Sequence, residues 1–449
     1  MKITHFSNSF MLVESNGDAI ICDPWMGKAN AGGWQSFPEF SFGDMSRYLE
    51  SAKWVYISHL HDDHYHPETL RNLGLLDRKF IIKKFHTPIM RERLKRLGVK
   101  IIHEIEPFTI SKFGSLNVAL FPQMTSNSSS LRDDINFDMD TSIVFQSEHA
   151  IFLNQVDNPL SVLDMKFINR WILDRLGRVD IACFKIGAAS EYPHLYLGID
   201  HASEKRRIVD ASLDHLREFL AILSPKYCFP AGGTYIIPGW LSNFSCNIAQ
   251  PSFDEIKDCL DFHGSNTVPF MLEGGQSINI KNHLISGPLE LSITPLLGDR
   301  DRAIIFHADD PYDYESYEAP LYSELVKWLE LARNNWAKKI KDDDITITQS
   351  IRFEIYNPLQ YVEDGIAVGE RKGSFILNNA INIENGTLVI NIDLRAIYGC
   401  ITKKCIWNGV LGSLCLFERR PNKHFPSDIF SINYFTLTGE QISILSVAA

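Results

Sequence analysis

Short apolar runs separated by turn residues organise the first half of this chain. FMLVES (residues 10–15) and AIICDP (residues 19–24) flank Asn16-Gly17-Asp18, which predicts a β-meander whose second strand ends at Asp23. A loop of small residues and tryptophan (25–34) and a short helix near 43–51 follow. WVYIS (54–58) is continuously apolar, the pattern of a strand covered on both faces. Pro67 suits the first turn of a helix, and KFIIKK (79–84) and PIMRERLKRLG (88–98) read as strand and helix. From 99 to 155 the pattern returns to strands, closing on SIVFQ (142–146) and AIFLNQVD (150–157). Helices at about 162–177, 203–223 and 253–263 then alternate with strands at 180–186 and 227–230. That order predicts two sheets packed face to face with helices outside.

The acidic stretch ADDPYDYESYE reads as a surface connection. We therefore expect a first domain over 1–295, a connection over 296–318 and a smaller α+β domain over 319–449. The last part contains a helix (321–339) and strand-like runs such as ITITQSIRFEIY and TLVINIDL.

At 449 residues the chain exceeds the usual single core, which agrees with two domains. Its net charge of −11 argues against nucleic-acid polymer or anionic membrane as a partner. No run of about 18 uncharged apolar residues suggests a membrane span. The start, MKITHFSNSF, lacks the apolar core of a secretory signal. Eight cysteines without C-x-x-C pairing fit reduced thiols, and together these features predict a cytoplasmic protein.

YISHLHDDHYH changes the picture, because it places four of the chain's fifteen histidines just after a buried strand, spaced His59-x-His61-x-Asp63-His64. Imidazoles two residues apart at a strand end can converge on one cation, while Asp63 and His64 reach a second beside it. Asp157, closing another apolar strand, is the candidate carboxylate between the two. The other reading is a polar loop whose histidines cap the helix at Pro67. His66 falls outside the spacing and is expected at the surface or behind the ligands.

This spacing after a buried strand resembles the metallo-β-lactamase superfamily signature. DPW with GGW (23–34), YISHLHDDH, MDTSIVF (139–145), LNQVD (153–157), GAAS (187–190) and SPKYCFPAGG (224–233) resemble, in order, the non-Rieske part of the cytidine-monophospho-N-acetylneuraminate hydroxylases. IWNGVLGSLCLFERRPNKHF (406–425) is similar to that family's C-terminal region. The resemblance implies an αββα metallo-β-lactamase sandwich and an α/β fold. It also implies one or two transition-metal ions held by His59, His61, Asp63, His64 and Asp157, with Asp63 and His64 also catalytic.

Two departures concern the ligands. The superfamily supplies a further histidine after about residue 122, where this chain has QMTSNSSS; Asn136 and then Asp140 are the nearest polar groups. Asp140 is the substitute candidate, its alternative being a turn residue before the strand at Ser142. The last family histidine would follow Pro230, but Ala231, Gly232 and Gly233 stand there, so the second metal position is expected to be weak or empty.

Two histidines and one carboxylate resemble the open face of Fe(II) oxygenases, whereas Zn(II) on the same ligands would make a hydrolase. The resemblance favours an iron hydroxylase of a polar, nucleotide-linked or amide-bearing small molecule. The sequence has no C-x-H followed by C-x-x-H for a Rieske cluster, so electrons would come from a separate protein. A zinc hydrolase of an ester, lactone, amide or phosphodiester is the alternative, and a metal-poor binding protein the third reading. Candidate substrate contacts are Trp25 and Trp34 for stacking, Tyr192 and His194 after GAAS, and Arg419 and Arg420 for an anion. Core packing, ordinary loop structure and a solvated strand end are their respective alternatives.

Overall fold

Strands β1 (Lys2–Ser7), β2 (Phe10–Ser15) and β3 (Asp18–Cys22) form an antiparallel meander in the computed structural model. The structure describes residues 1–124, 140–187, 190–262, 266–272, 274–282, 284–289, 293–347, 349–363, 366–378, 387–418 and 428–448. β4 (Lys28–Ala29) and β5 (Trp34–Ser36) start a small separate sheet. α1 (Phe42–Tyr48) then leads to β6 (Trp54–Tyr56), which lies parallel to β3. α2 (Pro67–Asn72) and α3 (Ile89–Leu97) cross over to β7 (Lys79–Lys83) and β8 (Ile101–Ile105), both added in parallel. The near-continuous apolar strands are thereby explained: helices cover one face and a second sheet the other. Phe80, Ile82, Leu70 and Leu94 fill the layer under these helices.

The second sheet follows the same logic. β9 (Ser111–Phe113), β10 (Leu116–Pro122), β11 (Thr141–Gln146) and β12 (Ile151–Asn154) are antiparallel. α4 (Val162–Arg175), begun by a Ser161–Asp164 capping box, carries the chain to β13 (Ile181–Lys185). α5 (His201–Leu223) and α6 (Phe253–Phe262) lead to β15 (Tyr227–Ala231) and β17 (Val268–Pro269), with β14 (Tyr196–Leu197) and β16 (Tyr235–Ile236) between. β12, β13, β15 and β17 run parallel. β18 (Ser277–Lys281) and β19 (Leu284–Leu289) return to the first sheet beside β1. Val13, Ile20 and Tyr56 from one sheet meet Leu120, Phe145 and Phe152 from the other, so the αββα sandwich expected from the sequence is the one observed.

The remaining chain is α+β, also as expected. β20 (Ser350–Glu363), β21 (Ile366–Asn378), β22 (Thr387–Asp393) and β23 (Leu416–Glu418) form a five-stranded sheet with β14, packed by α8 (Tyr322–Asp342), α9 (Leu394–Ile401) and α10 (Trp407–Ser413). Its core takes in Trp25, Trp34 and Tyr196 from the first half. Among the described residues no helix is long and apolar enough to cross a membrane. All eight cysteines are free thiols.

The acidic connection is tied down rather than loose. His307, just after α7 (Arg300–Phe306), bonds Glu39 at 2.6 Å and Asp310 at 2.8 Å. The Glu39 hydrogen bond, reinforced by Asp310 and opposed by burial, raises the His307 pKa. A raised folded pKa adds stability that is complete below the unfolded value and disappears as pH climbs through the folded one. His307→Gln should therefore lower unfolding free energy by about 2 kcal/mol near pH 6, and by clearly less near pH 9. Denaturant melts at the two pH values check this; an equal loss at both would remove the ion-pair explanation.

Candidate metal centre

Both sheets aim the carboxyl ends of their parallel strands at one rim, and the candidate ligands sit there. His59, His61, Asp63 and His64 follow β6, Asp157 follows β12, and Asp140 immediately precedes β11, whose start lies against the end of β12. The carboxyl ends of parallel strands are the usual location of α/β binding sites. Tyr56 and Thr141 pin the two sheets together at this point. Thr141 Oγ1 accepts from Tyr56 Oη at 2.5 Å and donates to the Ser58 carbonyl at 2.9 Å, which sets Asp140 beside His59.

Two ligand trios result, one of His59, His61 and Asp140 and one of His59, His64 and Asp157, each with donor atoms within 4.8 Å of one another. His59 Nε2 lies 2.8 Å from His61 Nδ1 and 3.1 Å from Asp140 Oδ1. His64 Nε2 lies 3.3 Å from Asp63 Oδ2 and 3.5 Å from Asp157 Oδ2. Ligand atoms about 2.0–2.2 Å from a tetrahedral ion stand about 3.3–3.6 Å apart, the spacing of these two His64 contacts, whereas the His59 contacts are shorter.

A hydrogen-bond network behind the imidazoles fixes which nitrogen faces the rim. Buried Asp23 accepts from Ser58 N and Ser58 Oγ, each at 2.7 Å, and from His64 Nδ1 at 3.0 Å. Since the Ser58 hydroxyl proton goes to Asp23, His59 Nδ1 donates to Ser58 Oγ at 2.9 Å. Both rings thus turn an Nε2 lone pair toward the carboxylates. Asn8 Nδ2 donates to Asp63 Oδ2 at 2.9 Å and holds that carboxylate in place. Asn8, Asp23 and Val156, which aims Asp157, all have left-handed backbone, with φ of 45°, 40° and 54°. For a β-branched residue such as Val156 this is strained, and such strain collects at functional sites.

Electrostatics agree with an ion-binding cluster. Burial, helped by His64 and His61, holds His59 well below the ordinary imidazole range. Burial pulls His64 the same way, but Asp63, Asp157 and Asp23 outweigh it and raise its pKa well above that range. Burial raises Asp157, yet Lys185 and His64 depress it far more. His64 Nε2 is buried without a hydrogen bond. An orphaned nitrogen costs about 1–3 kcal/mol, and one facing two carboxylates requires a proton or a cation. Imidazole nitrogen with carboxylate oxygen is a donor set for zinc or non-haem iron, so the residues fit a transition metal.

A cavity of about 280 Å³ opens over the cluster, lined by His61, Asp63, Asp140, Asp157 and Lys185 and walled by Trp34, Glu191 and Asn408 among others. Trp34 is thus at the cavity, while its ring stacks on Tyr235 at 4.2 Å. The other aromatic candidates lie away from this cavity. Trp25 has no exposed surface and packs in the C-terminal core. Tyr192 bonds Glu204 at 2.5 Å, and buried His194 has its pKa pushed down to about 3 by burial and His201; neither lines the cavity. His66 is buried rather than at the surface, and caps α2 through Thr69 N at 3.3 Å and Thr69 Oγ1 at 2.7 Å. Arg419, Arg420 and Asn136 lie outside the described residues.

Sequence reading missed Asn8, Ser58, Lys185 and a buried Lys83. Burial lowers Lys83 to about 8, with Asp140 opposing. A charged residue ending an apolar strand was the available signal for both lysines: each closes a strand at this same rim.

Residues 2–148 match the family model described as beta-lactamase superfamily domain. A Rieske 2Fe-2S iron-sulfur protein of Mycolicibacterium smegmatis is 25% identical over 356 residues, 73% of this chain and 62% of that protein. Cytidine monophosphate-N-acetylneuraminic acid hydroxylase of Xenopus laevis is 28% identical over 161 residues, 35% of this chain and 26% of its own length. The matches therefore span less than two thirds of either relative. CmlA, a diiron beta-hydroxylase from Streptomyces venezuelae, is similar at TM-score 0.41 and 17% identity, over 60% of this chain and 53% of that one.

Proposed function

We propose that this chain, a protein of the metallo-β-lactamase superfamily, is a metal-dependent enzyme working as a non-haem iron hydroxylase on a polar small molecule. One observation carries the reading: His59, His61 and Asp140 present two imidazoles and a carboxylate to one point beside an open cavity. That ligand set is the usual one for Fe(II) oxygenases. The relatives, one named as a hydroxylase and one as a Rieske protein, support the same chemistry and an electron-donor protein as partner.

Bound at this face, iron would supply redox chemistry with dioxygen. The chain's own part is positioning. Asp23 and Ser58 fix the ring faces of His59 and His64, Asn8 holds Asp63, and the zero exposure of His59 and His64 keeps bulk water from the rear of the site. Asn408 and Glu191 give the cavity wall polar groups suited to hydroxyls or amides of a substrate.

A zinc hydrolase is the second reading, favoured by Lys185, whose ammonium lines the cavity where negative charge would develop on an attacked carbonyl or phosphoryl group. Metal analysis of protein purified without chelators, with oxygen-uptake and hydrolysis assays, separates the two. Iron near one equivalent with reductant-dependent oxygen uptake is expected. Zinc with turnover of lactones or phosphodiesters would replace the hydroxylase by the hydrolase, and absence of any bound metal would remove both.

A further inference from the structure

We infer that the chain has a second small-molecule site, separate from the metal centre, which takes an organic anion: a carboxylate or phosphate carried on an apolar or aromatic body. A cavity of about 750 Å³ is bordered by the end of β1, the loop after β5, the segments before α6 and before β18, and the start of α7. Small-molecule pockets fall at about 300–1,000 Å³, and this one is larger than the cavity of about 280 Å³ over the candidate metal ligands. Among the described residues none lines both cavities. The two adjoin through Asn8, whose backbone amide donates to Thr234 Oγ1 on the wall of the larger cavity and whose side chain donates to Asp63 Oδ2 at the smaller one.

Charge decides the class of ligand. Arg300, the first residue of α7, is half-buried at this cavity. Its guanidinium carbon stands 5.9 Å from the centre of the Phe37 ring, and it makes no hydrogen bond or ion pair with any described residue. Nearby acids are committed elsewhere or point to solvent: Asp299 caps α7 through Arg302 N at 2.8 Å, Glu39 bonds His307 at 2.6 Å, and Asp301 is exposed. Burial lowers the Arg300 pKa, with Tyr235 and Asp301 opposing, yet a guanidinium keeps its proton. A charge partly withdrawn from water without an acceptor is costly, and a carboxylate or phosphate oxygen pair would meet its parallel N–H groups. Lys205, which donates to the Cys246 carbonyl at 2.7 Å, adds a second positive charge to the lining. None of the described lining residues is acidic, although the chain as a whole carries a net charge of −11. Phe6, Phe37, Ile248 and Leu272 give the cavity an apolar wall, which favours an anion with an apolar body over an inorganic ion.

Calorimetric titration of the full chain, as purified, with 1-naphthylacetate, 1-naphthylphosphonate and the neutral 1-naphthylacetamide tests this. One site per chain is expected, filled about tenfold or more tightly by the better anion than by the amide, since hydrogen bonds to a charged group are the strong ones. Whichever anion binds better identifies carboxylate or phosphate as the head group. Arg300→Met should weaken the anion by about tenfold or more and leave the amide nearly unchanged, with Arg300→Lys between wild type and Arg300→Met. His61→Ala should bind the anion as wild type does, because the site is not at the metal centre. In wild type, bound 1-naphthylacetate should also protect Arg300 from phenylglyoxal, read by peptide mass spectrometry, a measurement that needs no variant to fold. Equal binding of anion and amide, binding of neither, undiminished anion affinity in a folded Arg300→Met chain, or no protection of Arg300 would overturn the inference. Anion binding lost in His61→Ala and kept in Arg300→Met would place the anion on the metal centre and overturn it as well. The metal-centre reading stands or falls separately, on metal content.

Discussion

Alanine at His61 is expected to strip the chain of most of its metal and to lower activity by more than about 100-fold, because outer partners of a metal ligand already cost about 10–100-fold. His61 is the informative candidate ligand to remove. It is only partly buried, whereas His59 has no exposed surface and donates to Ser58, so His59→Ala would leave a hole and a broken network as well as a missing ligand. His66→Ala is the matched control. Its ring caps α2 and faces no ligand, so its loss should lower stability by about 1 kcal/mol while metal content stays near that of the wild type. Metal analysis and calorimetry of the pair decide the matter: comparable metal loss from both variants would mean that the His59-x-His61 spacing is not what holds the ion.

The contrast between these two histidines shows what the sequence carried. Candidate ligands on one loop are legible because their spacing is local, and a buried strand followed by His59, His61, Asp63 and His64 fixes their direction within a few residues. The place of Asp157 at the same rim was readable for a similar reason, as a carboxylate closing an apolar strand. Supporting groups were not. Asn8 meets Asp63 across 55 positions of sequence, and only because β1 and β2 reverse beside the rim. Lys185 looked like any charge at a strand end until β13 was placed parallel to β12 and β15. Aromatic residues misled in the opposite way. Trp25 follows the end of β3 within the DPW motif, yet the C-terminal sheet folds over it and packs it in a core. Local pattern gave the αββα layers well, since each strand's apolar run records that both its faces are covered. It could not tell which polar residues a second sheet would bring opposite.

Asp23 supplies the sharpest case, since it reads in the sequence as no more than the end of a strand. β3 runs parallel to β6 with Cys22 opposite Tyr56, and the Asp23 amide bonds the Tyr56 carbonyl at 2.9 Å, which sets its carboxylate against Ser58. From there one side chain accepts Ser58 N, Ser58 Oγ and His64 Nδ1, and so selects the ring nitrogen that two histidines offer to the rim. Asp23→Asn keeps the shape but replaces one acceptor oxygen by a donor, which faces either both the Ser58 hydroxyl and the His64 ring or, with the amide turned, the Ser58 amide. Metal affinity should fall about 10–100-fold with little change in melting behaviour. Asp23→Ala should in addition cost about 3 kcal/mol, because the buried Ser58 amide and hydroxyl are left without an acceptor. Competition titration with a chelator and denaturant melts read the two effects separately. Wild-type affinity in a folded Asp23→Asn chain would show that the rings hold their orientation without the carboxylate, and that β6 alone positions the site.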